Sequence, residues 1–183
     1  DYALIRFVPG SGGRSRDVIN SSLTIGTAAS LVLALVFIAG LDWWSPGLHS
    51  LVEHPGVLAA FVLSVVATTV FTLLQRVFSA KLRSGYALVM GLTFGLFRFL
   101  PLPIMAASSL SLGVFHAWVA ALCVATAAGF IILPRVEPGY RPSLTIKKDL
   151  VSPMLRFAFA NYLANVSATV TGSVLPLLVL YIL

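Results

Sequence analysis

Read for polarity alone, the chain alternates long apolar runs with short charged connections. Five runs approach or exceed the roughly 20 mostly apolar residues that a helix needs to cross a hydrocarbon core. They cover about residues 18–40, 56–75, 86–110, 113–133 and 154–183. None has the dyad alternation of a barrel strand, and a backbone in lipid must satisfy its own hydrogen bonds, so each is predicted to be a helix. The expected fold is an all-α integral membrane protein, a polytopic helix bundle. Residues 1–17 form a leading segment, 18–133 four transmembrane helices, 134–153 a connection, and 154–183 a further transmembrane helix.

Polar positions inside the runs recur at helical spacing. Ser64, Thr68, Thr72 and Gln75 share one face of the second run, and Asn161, Asn165, Thr169, Gly172 and Pro176 one face of the fifth. Asn20, Thr24 and Thr27 mark the first half of the first run. Such stripes serve either as contacts between helices or as the lining of a cavity for a polar solute.

Charge orients the bundle. The chain has 12 Lys and Arg against 6 Asp and Glu, and is 58% hydrophobic. Arg6, Arg14 and Arg16 precede the first run; Arg76, Lys81 and Arg83 join the second to the third; Arg135, Arg141, Lys147, Lys148 and Arg156 surround the fourth connection. The alternate connections, 41–55 and 109–113, have no basic residue. This strict alternation places residues 1–17, 76–85 and 134–153 on the cytoplasmic side of a cell membrane. Basic residues confined to short connections point to a bilayer rather than to nucleic acid. Trp43, Trp44, Trp118 and Tyr86 stand at run ends, where aromatic residues meet headgroups. The connection 134–153 reads as a linker between two bundles, with a short surface helix after Ser143.

The twelfth basic residue, Arg98 in GLFRFLPLP, lies inside the third run. At 1.5 Å per residue it is about 18 Å beyond Tyr86, deep enough to require a partner. It shares a face with Gly91 and Gly95, which is expected to point into the bundle, and Pro101 and Pro103 free the carbonyls of Phe97 and Phe99. Its partners are therefore those carbonyls, or an anionic ligand such as phosphate, whose oxygens suit a guanidinium fork.

Catalytic patterns are sparse. There is no phosphate-binding GxxxxGK[ST] loop, and no acidic residue falls at the centre of a run. His49, Glu53 and His54 stand close together, but not at a familiar zinc spacing, and His116 begins the fourth run. Cys123 is the sole cysteine, so no disulfide forms within the chain. No cofactor or metal is expected.

Three stretches, ALIRFVPG, FVLSVVATTVFTLLQRVFSAKLRSGYALVMGLTFGLFRFLP and MLRFAFANYLANVSATVTGSVLPLLVLYIL, resemble the polysaccharide flippases of the multidrug/oligosaccharidyl-lipid/polysaccharide exporter superfamily. The features concerned are Arg6 and Pro9, the basic turn Arg76 to Arg83, and Arg156, Phe157, Ala158, Asn161 and Tyr162. The resemblance implies a non-enzymatic transporter of twelve to fourteen helices, of which these are spans three to seven, with the remaining spans elsewhere in a longer protein. It also implies a substrate: a glycan linked to polyprenyl phosphate or diphosphate, moved across the cytoplasmic membrane by alternating access. Arg98, Ser64, Thr68, Thr72, Gln75, Asn161 and Asn165 are then the expected substrate-binding residues. The alternatives are an organic-cation antiporter of the same superfamily and a membrane enzyme of glycan or lipid metabolism centred on His49, Glu53 and His54.

Overall fold

The computed structural model describes residues 2–44, 54–101 and 113–182, and every regular element among them is helical. A short helix α1 (Tyr2–Phe7) and a 3-10 turn at Pro9–Ser11 lead into α2 (Ser15–Ala39), followed by the single turn α3 (Leu41–Trp44). Next come α4 (Pro55–Ala80), α5 (Ser84–Phe99), α6 (Gly113–Val136) and α7 (Lys148–Ile182). Three of these, α2, α4 and α6, are long and apolar enough to cross a membrane.

Helix α4 is the hub. Helices α2, α5 and α6 all pack on it, α5 also packs on α6, and α1 lies across the end of α4 and against α7. Lipid tails are as apolar as Leu, so close fit rather than water exclusion must hold such helices together. Gly129 of α6 supplies that fit: a Cβ there would stand 2.7 Å from Met90 Cε of α5 and 2.9 Å from Leu74 Cδ1 of α4. Thr126, one turn earlier, is buried and donates its hydroxyl to the carbonyl of Leu122 in its own helix at 2.8 Å.

The tightest packing gathers at one end. Leu4, Val8, Ile19, Leu74, Val77, Phe78 and Leu133 form a fully buried cluster there, joined by Met90, Tyr140 and Met154. Further along α2, Leu31, Val32, Leu33, Leu35 and Val36 are all exposed, as a lipid-facing surface would be. The three basic segments predicted to share a side do meet at the packed end, through contacts among Arg14 to Ser21, Lys81 and Glu137 to Asp149.

Two expectations change. Helix α6 runs through Pro134 to Val136 and α7 begins at Lys148, so the connection is shorter than 134–153. Pro134 is tolerated because it falls in the last turn, and residues 140–147 have no regular secondary structure. Helix α5 ends at Phe99 instead of continuing through the third run. Leu100, the residue before Pro101, keeps helical backbone at φ −59° and ψ −39° and donates to the Leu96 carbonyl at 3.0 Å, so the helical path reaches Pro101, where the described stretch ends. Residues 102–112, including Pro103, lie outside the described residues.

Candidate functional site

The site grows from the turn that follows α6. Glu137, Pro138, Gly139 and Tyr140 reverse the chain, with the Tyr140 N–H donating to the carbonyl of Glu137 at 3.0 Å. Proline in the second position and glycine at φ 73° in the third meet the backbone demands of this turn. The chain then passes over the start of α2, within hydrogen-bond reach of Asn20 and Ser21.

Asn20 organises that crossing. Its amide nitrogen donates to the Arg141 carbonyl at 3.0 Å and to Ser143 Oγ at 2.8 Å, and its carbonyl oxygen accepts the Tyr140 hydroxyl at 2.6 Å. Burial pushes the Tyr140 phenol above its usual pKa. Ser21 continues the pairing, donating to the Thr145 carbonyl at 3.1 Å and accepting from the Lys147 N–H at 3.2 Å. Asn and Ser side chains thus satisfy the polar backbone of a segment that has no secondary structure of its own.

Both ends of the segment are fastened by charge. At the first, Glu137 Oε2 lies 2.6 Å from Lys81 Nζ, Oε1 accepts the Ser15 hydroxyl at 2.9 Å, and Arg16 Nε approaches to 4.0 Å. Arg16 also donates to the Pro138 carbonyl. Burial opposes the charge on Glu137, but the bonds from Lys81 and Ser15 and the field of Arg16 outweigh it and hold the carboxyl below its usual range. At the other end Asp149, the second residue of α7, pairs with Arg14 at 2.6 Å, chiefly by this bond its pKa is lowered, and both partners are exposed.

Beneath the segment lies a cavity of about 380 Å³ between α2 and Phe130 of α6. Asn20, Leu23, Thr24, Thr27 and Ala28 form one wall, and Tyr140, Pro142, Ser143 and Leu144 the roof. The polar stripe of α2 therefore lines a cavity. Elsewhere hydroxyls turn inward on their own helices: Ser64 donates to the Phe61 carbonyl and Thr68 to the Ser64 carbonyl, each at 2.7 Å.

The other predicted site residues are dispersed. Ser64 is buried, Thr68 exposed, and Thr72 and Gln75 half-buried on α4, with Gln75 close to Gly91 of α5. Asn161 is half-buried and Asn165 exposed on α7, where the Asn165 amide caps its own helix's Asn161 carbonyl at 2.9 Å. Arg98 stands in the last turn of α5, exposed, with its guanidinium 6.0 Å from the Phe94 ring and 5.7 Å from the Phe99 ring. The glycine face is split: a Cβ at Gly91 would stand 3.9 Å from Gln75 Nε2 of α4, whereas one at Gly95 would meet nothing within 4 Å among the described residues. Among the described residues, the Phe94 and Phe99 rings are the neighbours of the Arg98 guanidinium. Arg6 sits 4.7 Å over the Phe157 ring, joining α1 to α7.

His49, Glu53, and the side chains of Thr169, Gly172 and Pro176 lie outside the described residues, and His54 is exposed just before α4. Sequence reasoning passed over Glu137, Tyr140 and Asp149 as linker residues. The available signal was two acids, Glu137 and Asp149, among four Lys and Arg between Arg135 and Lys148.

Fold and composition define a helical membrane protein. No protein family, curated protein or solved structure matches the chain.

Proposed function

We propose that the protein is part of a flippase that moves a lipid-linked oligosaccharide or polysaccharide precursor across the cell membrane by alternating access. The observation that carries this reading is the α2 stripe, whose Thr24 and Thr27 share a cavity with Leu23, Ala28 and Phe130 at the basic end of the bundle. A wall of hydroxyls and hydrocarbon suits an amphiphile, and surrounding cations suit a phosphate-linked headgroup. In this reading the basic end is cytoplasmic, the third and fifth apolar runs also span the membrane, and α7 opens a second bundle supplied by further spans.

Arg98 keeps its role in the proposal. An exposed guanidinium beside Phe94 and Phe99 would donate to a diphosphate arriving along α5. Ser64, Thr68, Thr72, Gln75, Asn161 and Asn165 would meet the glycan. An organic-cation antiporter is disfavoured by the intramembrane Arg98 and by the absence of an acidic residue at the centre of any apolar run.

The test is transport of a fluorescent polyprenyl-diphosphate sugar in proteoliposomes containing the full-length protein. Thr24→Leu with Thr27→Leu, and separately Arg98→Gln, are expected to cut the rate at least tenfold with normal insertion and abundance. Undiminished transport in the Thr24/Thr27 variant would remove the cavity from the pathway, and in Arg98→Gln would leave that arginine structural.

A further inference from the structure

Two adjoining cavities lie between α1, α2 and α7, on the opposite face of α2 from Thr24 and Thr27. The first, about 280 Å³, is lined by Arg6, Phe7, Ser11, Val18 and Leu150. The second, about 220 Å³, is walled by Ala3, Leu4, Leu73, Val151 and Ala158 with Ser22. Met154 lines both, so one buried side chain separates them. Each cavity has a polar group without a partner among the described residues. Arg14, Arg16 and Lys81 are engaged with Asp149, Pro138 and Glu137, whereas the exposed Arg6 guanidinium only faces the rings of Phe7 and Phe157, at 5.9 and 4.7 Å. A ring covers the face of a guanidinium and leaves its edge N–H donors open. Ser22 Oγ is buried and unpaired, although Ser30, Ser64 and Thr69 each donate to a carbonyl of their own helix. A buried hydroxyl without an acceptor is costly, so a ligand that supplies one is favoured.

The spacing of the two groups has a chemical counterpart. Val18 in the first cavity and Ser22 in the second are one turn apart, about 6 Å along α2, with Ser22 the farther from the basic end. A glycerol backbone covers that separation between a phosphate and an ester carbonyl. We propose that this groove holds an anionic phospholipid of the bilayer, its phosphate on Arg6, an ester carbonyl accepting from Ser22 Oγ, and acyl carbons against Leu4, Leu73 and Met154. Lys147, Lys148 and Arg156, all exposed around the start of α7, favour a headgroup with net negative charge. The lipid joins α1 to α7 across a gap that protein atoms leave unfilled. This assignment requires only a bilayer and is independent of the transport reading.

Native mass spectrometry of the full-length protein, released from vesicles of equal parts phosphatidylglycerol and phosphatidylcholine doped with polyprenyl phosphate, tests the site directly. Phosphatidylglycerol is expected to stay bound, and Arg6→Gln and Ser22→Ala are each expected to lower its occupancy about fivefold. Ser22→Ala breaks no bond among the described residues, so it remains informative should Arg6→Gln disturb α1. Arg135→Gln removes another exposed cation, in the last turn of α6, and should leave occupancy unchanged. Occupancy that is the same in Arg6→Gln and Ser22→Ala as in the unaltered protein would overturn the site. An equal fall in Arg135→Gln would do so by showing general attraction to a basic surface. Retention of polyprenyl phosphate instead, indifferent to Ser22→Ala because it has no ester carbonyl, would give the groove to a different lipid.

Discussion

Glu137 and Lys81 meet at 2.6 Å, joining the residue after α6 to the residue that ends α4. Their side chains are 13% and 24% exposed, so the pair is shielded more than a surface ion pair, and Ser15 fills a further lone pair of the carboxylate. Lys81→Met and Glu137→Gln, singly and together, form a cycle that isolates the interaction. A coupling of about 1–3 kcal/mol in thermal or denaturant unfolding is expected, and a value indistinguishable from zero would mean that solvent screens the pair.

The same carboxylates set a pH window. Glu137 and Asp149 both have lowered pKa values in the fold, so their contribution is complete above the ordinary carboxylate range near 4 and fades as pH falls through the depressed values. The raised Tyr140 pKa acts at the other extreme, where stability is lost as pH rises past the usual tyrosine value of about 10. The temperature of thermal unfolding should be highest between these limits. Glu137→Gln with Asp149→Asn should flatten the acid side, and Tyr140→Phe the alkaline side.

Gly139 is required for two reasons. Its φ of 73° is unfavourable for a residue with a side chain, and a Cβ there would lie 2.7 Å from Arg16 Nη2. Gly139→Ala should cost about 1 kcal/mol from the backbone alone and also displace Arg16 from Pro138. A lower unfolding midpoint in this variant, without a change in helical circular dichroism before the transition, is the expected result.

Gly129 makes a different demand. Leu74 and Met90 leave no room for a Cβ between α6 and its two neighbours, although Met90 is flexible and gives way more readily than Leu74. Gly129→Val is expected to lower stability by about 1–3 kcal/mol, whereas Gly95→Val, on an open face of α5, should change it by less than about 0.5 kcal/mol. Comparable losses at the two sites would mean that Gly95 also meets a neighbour in the membrane.

Apolar runs announced α2, α4 and α6 because length and composition decide whether a helix fits a bilayer. Lys and Arg placement grouped residues 1–17, 76–85 and 134–153 on one side without saying which of them touch, and the fold brings residues 14–16, 81 and 137–149 together. Spacing alone was less informative about faces. Asn20, Thr24 and Thr27 share a stripe much like that of Ser64 and Thr68, yet one lines a cavity and the other turns its hydroxyls onto its own helix. Periodicity records which residues are neighbours on one helix, and the gap between two helices depends on how both lean on a third. For Arg98 the prolines were legible, but whether they bend a helix or end it rests on packing beyond the local chain. The ion pairs escaped because Glu137 and Asp149 are remote in sequence from Lys81 and Arg14, and nothing local distinguishes a paired acid from a solvated one.

The Arg14–Asp149 pair links positions separated by most of the described chain. During synthesis α2 and α4 reach the bilayer well before residue 149 exists, so the face carrying Asn20 and Ser21 waits uncovered while α5 and α6 are inserted. In that interval its polar groups have only water or lipid headgroups as partners. Chain emergence therefore places the pairing of residues 137–149 with α2 after the packing of α2, α4, α5 and α6, and a ribosome stalled between α6 and α7 would hold a bundle whose hub is built before that segment covers it.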